Sequence, residues 1–115
     1  MRAAGIALVA LMFAGTASAQ QPQAGMMGAG SSTCADYLSE YKRDPASAND
    51  LYFSWAQGYM SGQNVAHDKN PMRNLNAIPT SSQLDFLQRF CEQKPTVLFA
   101  VAAQYLFKAL PNLSK

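Results

Sequence analysis

The chain offers few side chains that could do chemistry: one His, two Cys and seven acidic residues in 115. His67 is followed directly by Asp68, and adjacent residues cannot face each other as the base and the orienting acid of a catalytic triad do. Asp36 and Glu40 lie at helical i, i+4 spacing, which favours a solvated helix face over two acids across a substrate cleft. We therefore expect no catalytic residues and a protein that is not an enzyme.

The chain also lacks residues suited to binding a cofactor or a nucleic acid. A self-contained zinc site usually takes four ligands, more than one His and two Cys supply. Met26 and Met27 are adjacent but have no His or Cys beside them, which makes a weak site for a soft metal. The net charge of +2 comes from scattered Lys and Arg, not from a basic stripe that could follow a phosphate backbone. We expect no cofactor, no metal and no nucleic-acid partner.

Residues 1–19 have the pattern of a secretory signal peptide. A positive start at Arg2 precedes an uncharged run that ends at Ala14, and Ala17-Ser18-Ala19 is a small-x-small cleavage site. The run of about 10 apolar residues is far shorter than the roughly 20 that span a bilayer, so no membrane span is expected after cleavage behind Ala19. The prediction is a soluble periplasmic protein in an oxidising compartment.

Three segments would follow the cleavage site. Residues 20–32 consist of Gln, Pro, Gly, Ala, Ser and Met without charge or periodicity, which predicts a flexible leader. Residues 33–111 carry helical periodicity and cap signals, and residues 112–115 are a short tail. The sequence thus predicts one small all-α domain, a bundle of about four helices.

The first two helices are predicted around a proline. Thr33 is a good N-cap with Asp36 three residues on, so the first helix begins there. It ends before Asp44-Pro45, because the residue before proline is disfavoured in the α conformation. The second helix is expected to start near Asn49-Asp50, where Asn49 can act as its cap.

The last two helices follow a polar connection over residues 64–79. The third is predicted to begin at Thr80 to Ser82 and to end at Pro95. The fourth is predicted from Thr96 to Leu110, with Pro95 in its first turn. Because it is apolar nearly all round, we expect it to be the central helix of the bundle.

The two cysteines predict a disulfide. Cys34 and Cys91 both lie on apolar faces of separate predicted helices, and the even count leaves no thiol over. A Cys34–Cys91 bridge would join the start of the first helix to the end of the third.

The second helix carries an apolar stripe that contains the only tryptophan. Trp55, Gly58, Tyr59 and Gly62 recur there at helical spacing, after Leu51. Two glycines four residues apart leave a bare patch. This favours a tight crossing against the fourth helix, with a shallow groove for a partner as the alternative.

Together these motifs resemble a known group of exported proteins. They are Thr33-Cys34-Ala35-Asp36-Tyr37-Leu38, Trp55-Ala-Gln-Gly58-Tyr59 with Gly62, and Phe90-Cys91 with Pro95 before an apolar helix. The pattern resembles the HdeA-like superfamily of periplasmic acid-stress chaperones, and it is also similar to the Tai-type immunity proteins, which block type VI secreted amidases. Both resemblances imply a small helical protein, and the first implies one disulfide joining the flanking helices.

The expected function is that of a non-enzymatic periplasmic protein that binds other proteins. The chaperone resemblance implies that low pH loosens a neutral-pH dimer and exposes apolar surface to clients. Immunity to a secreted amidase and an envelope-associated domain without a dedicated client are the alternatives. Whether the chain forms a homodimer stays open at this point.

Overall fold

The computed structural model describes residues 25–66 and 71–113 and confirms the predicted all-α class. A short 3₁₀ turn precedes the helices at Ala29–Ser31. The four helices are α1 (Cys34–Arg43), α2 (Pro45–Ala66), α3 (Thr80–Gln93) and α4 (Phe99–Ala109). The predicted signal peptide, His67 and Asp68 lie outside the described residues. Within that described part, no helix combines the length and the hydropathy needed to cross a bilayer.

The start of α1 is the capping box that the sequence predicts. The Oγ1 atom of Thr33 accepts a hydrogen bond from the amide of Asp36, and a carboxylate oxygen of Asp36 accepts one from the amide of Thr33, each at 3.1 Å. The next amides, of Cys34 and Ala35, donate to the backbone carbonyls of Val97 and Pro95 at 2.8 and 2.9 Å. Segment 95–98 therefore serves as the hydrogen-bond partner of the first turn of α1.

That contact explains why α4 begins at Phe99 and not at the predicted Thr96. An isolated bridge pairs Thr33 with Leu98, which holds Leu98 extended, while residues 95–97 form a turn. The carbonyls of Pro95 and Val97 point to α1 and are unavailable to a helix of their own. The prediction that Pro95 occupies the first turn of α4 was wrong for this reason.

The start of α2 also differs from the prediction. The first helix ends at Arg43, as expected from Pro45, but α2 begins at Pro45 itself and not near Asn49. A carboxylate oxygen of Asp44 accepts from the amide of Ser47 at 3.1 Å, so Asp44 caps α2. Proline is favoured at the first helical position because it lacks the amide hydrogen that would have no partner there.

The core joins all four helices, and α4 contacts each of the others, as expected of a central helix. The Cys34–Cys91 disulfide is present, with both residues fully buried and their Cα atoms 4.8 Å apart. Beside it, the rings of Tyr37, Tyr52 and Phe99 from α1, α2 and α4 meet with centroids 4.9 to 5.0 Å apart. The disulfide and this aromatic cluster hold the ends of the helices together.

Two polar side chains that the sequence analysis did not single out fix the connection between α2 and α3. The buried amide of Gln83 donates to the carbonyls of Leu75 and Ile78 at 2.9 and 3.0 Å. The guanidinium of Arg73 donates to the carbonyls of Lys108 and Leu110, at 3.1 and 2.7 Å, and so caps the end of α4.

The described part of the predicted tail is attached to the same loop. Asn112 forms an isolated bridge with Arg73, and the amide of Leu113 donates to the carbonyl of Met72. The folded unit therefore continues past the predicted boundary at residue 111.

Candidate protein-binding face on α2

Helix α2 has two apolar faces, and the core uses the one that the sequence analysis did not choose. Its buried residues are Ala48, Tyr52, Phe53, Ala56 and Met60. The stripe of Trp55, Gly58, Tyr59 and Gly62 lies beside these. Trp55 and Tyr59 are half-buried and pack against the edge of the core, with Trp55 edge-on to Phe99 of α4, while both glycines are exposed. We call this stripe, together with Leu51 and Val65, the outer face of α2.

The two glycines do not mark a helix crossing. A Cβ built on Gly58 or Gly62 would meet no atom of another described segment within 4 Å. The predicted tight crossing of the two glycines against the fourth helix is therefore wrong, since α4 meets α2 at Tyr52 and at the ring of Trp55, both edge-on to Phe99. The bare patch instead lies open at the surface of the described structure.

Apolar side chains border this patch at both ends. Leu51 is 59% exposed and Val65 is 76% exposed, although both are large aliphatic residues. The only charged residue in α2 is Asp50, in a helix of 22 residues. Protein interfaces are depleted in charge at their centres and enriched in aromatic residues, which is the composition found here.

Trp55 and Tyr59 form the inner edge of the outer face. Their rings are stacked, with centroids 5.5 Å apart and planes within 11° of each other. Partial burial raises the pKa of the Tyr59 hydroxyl, so this side chain stays neutral over the whole physiological range. The pair offers aromatic surface and hydrogen-bond donors but no charge.

The predicted flexible leader is, over its last residues, part of this site. Residues 27–32, which we call the strap, cross the indole of Trp55, while residues 20–24 lie outside the described part of the chain. The indole N–H donates to the carbonyl of Met27 at 2.8 Å, and Ala29 and Gly30 are buried. The expectation of a flexible segment is therefore wrong for the strap, because backbone contacts to Trp55 replace the apolar side chains that it lacks.

Other hollows on the surface are less suited to a protein partner. A groove of about 610 Å³ between α1 and Pro95 has apolar walls, but Lys42 and Glu92 lie among its lining residues. A smaller hollow of about 340 Å³ is lined by polar residues such as Asn64 and Arg73 and by apolar ones such as Phe107. Among the described residues, no three His, Cys, Asp or Glu side chains come together as metal ligands.

The fold and this face define a disulfide-bridged, all-α domain with one helix that is apolar on two sides. No family model matches the chain, and neither a curated protein nor a solved structure matches it significantly. Its function has to be argued from the surface itself.

Proposed function

We propose that the chain is an exported, non-enzymatic protein that binds other proteins through the outer face of α2, with acid-stress chaperoning of the HdeA type as its specific role. The observation that carries the proposal is that α2 exposes Leu51, Val65 and two bare glycines beside the half-buried Trp55 and Tyr59, in a helix with a single charged residue. Contiguous exposed apolar surface marks interaction sites in soluble proteins. The signal-peptide pattern of residues 1–19 supports export to the periplasm.

The hydrogen-bonded carboxylates supply a way for acid to loosen the domain. Asp36 and Asp44 accept hydrogen bonds at the first turns of α1 and α2. Strong acid neutralises carboxylates in general, and a helix that loses its cap loses about 1 kcal/mol. All remaining side-chain charges are then positive and repel one another. The exposed pairs Arg43–Glu40 and Arg89–Asp85 contribute little to this change.

Suppression of client aggregation tests the chaperone role. The mature protein is mixed at about pH 2.5 with a globular client that aggregates on acidification, and light scattering is followed. We expect the wild-type chain to suppress scattering and the double variant Gly58→Gln/Gly62→Gln to suppress it less. Glutamine fits the open space at both positions and has the better helix propensity, so a loss would come from the altered surface and not from unfolding.

A matched control and a second assay separate the outcomes. Ser39→Gln adds the same side chain at an exposed position of α1 and should leave suppression unchanged. No suppression by the wild-type chain would remove the chaperone role. A pull-down at neutral pH could instead capture one tight partner that the double glycine variant does not bind. That result would support the outer face as the binding surface and favour an inhibitory role, such as immunity, over the chaperone role.

A further inference from the structure

The strap makes its contacts almost entirely through backbone. A Cβ on Gly30 would overlap the six-membered ring of the Trp55 indole, so only glycine fits there. Gly28 has a φ of 83°, which favours glycine, and a Cβ on it would lie 3.1 Å from the indole Cδ1. The carbonyl of Met27 completes the contact by accepting the indole N–H. The indole surface thus accommodates two glycines, and its N–H binds one backbone carbonyl.

The strap is held without charge or large anchors. None of residues 25–33 is ionisable, and its buried residues are only Ala29 and Gly30. The described hydrogen bonds of Ser31 and Ser32 amides run to Gly28 and Ala29, inside the strap itself. The carbonyl of Ser32 accepts from Phe99, which anchors the strap at its α1 end. The strap also packs against α4, and Ala29 belongs to the core, so its hold on the domain rests on small side chains and backbone alone, which a competing segment of the same kind can match.

We propose that an extended segment of a partner protein displaces the strap and binds the indole surface of Trp55. This segment has the two features of the strap, a glycine over the indole ring and a backbone carbonyl that accepts from the indole N–H. Such a segment from another protein would replace the strap and extend onto the outer face of α2 beside Tyr59. The inference rests on the proposed function, because it names the partner chemistry of that face. With cleavage behind Ala19, the strap lies close to a free amino terminus and can lift without moving a helix.

Fluorescence of the single tryptophan tests this directly. Gly30→Val in the mature chain should lift the strap, shift Trp55 emission to the red and increase quenching by acrylamide. Gly25→Val is the matched control, because a Cβ there meets nothing within 4 Å, and it should change neither. Far-UV circular dichroism and the absence of free thiols verify the fold. If Gly30→Val loses helicity, the milder Gly30→Ala is used in its place.

A peptide of residues 25–32 then serves as the partner probe. Added to the Gly30→Val chain, it should reverse the emission shift with saturation, whereas the same peptide with valine in place of the glycine equivalent to Gly30 should not. The wild-type chain should respond little, since its own strap competes at high effective concentration. Unchanged emission in the folded Gly30 variant, no reversal at millimolar peptide, or equal reversal by both peptides would each overturn the inference.

The client assay separates this result from the proposed function. Peptide binding without suppression of aggregation would support the indole site and reject the chaperone role. Suppression of aggregation by the wild-type chain, with no response to the peptide, would support the chaperone role. It would reject the inference that the strap occupies the binding site of a partner segment.

Discussion

Removal of the Cys34–Cys91 disulfide should cost most of the stability of this domain. The bridge closes a loop of 57 residues, and the chain-entropy relation gives about 4 kcal/mol for a loop of that length. A domain of this size has a free energy of unfolding of about 5 to 10 kcal/mol. The double variant Cys34→Ala/Cys91→Ala is therefore expected to retain only a few kcal/mol, and its Tm should fall by roughly 15 to 30 °C.

Urea unfolding followed by far-UV circular dichroism measures the difference. The wild-type chain treated with a reductant should unfold at nearly the same urea concentration as the double variant, and the reductant should have no effect on the double variant itself. The urea dependence should steepen without the bridge, because the unfolded chain then exposes more surface. A loss below about 1 kcal/mol would refute the view that the bridge acts by restricting the unfolded chain.

Three further changes test the polar contacts of the core. Gln83→Leu leaves two carbonyls of loop 71–79 without their donor. It should lower the free energy of unfolding, measured by urea titration, by about 2 to 3 kcal/mol. An unchanged value would mean that water replaces the amide. Arg73→Ala removes the cap on α4 and should cost about 1 to 2 kcal/mol, with faster amide exchange confined to the last turn of that helix. Burial raises the pKa of Tyr37, so its contribution to the free energy of unfolding should be constant up to about pH 10, where unfolded tyrosine ionises, and fall above it. Tyr37→Phe should reduce this loss of stability at alkaline pH. An identical pH profile for the variant would contradict the assignment.

The features predicted correctly are those that local chemistry determines. The capping box at Thr33 and Asp36 needs only residues three apart, and Pro45 ends α1 through its own ring. The disulfide followed from two cysteines on apolar faces in a chain whose first residues have the pattern of an export signal. Each of these depends on side chains whose partners are near in sequence or, for the cysteines, on a pairing without competitors.

The features predicted wrongly depend on partners distant in sequence. The apolar run that follows Thr96 predicts a helix from that residue, but the backbone carbonyls of Pro95 and Val97 bind the first turn of α1. The strap has a composition typical of disorder, and its packing surfaces, the indole of Trp55 and the start of α4, lie more than twenty residues later. Asp44 was assigned only to the end of α1, although its carboxylate begins α2.

Which face of α2 is buried could not be predicted for the same reason, and the answer bears on the proposed function. A stripe through Leu51, Trp55 and Tyr59 and a stripe through Tyr52, Ala56 and Met60 both repeat at helical spacing, so periodicity alone cannot tell which faces the core. The position of α4 decides it, and the first stripe is left partly open. Folding accounts for the buried stripe. The outer one meets the core only along its edge, at Trp55 and Tyr59, and is open at the two glycines, which is why we propose that it binds other proteins.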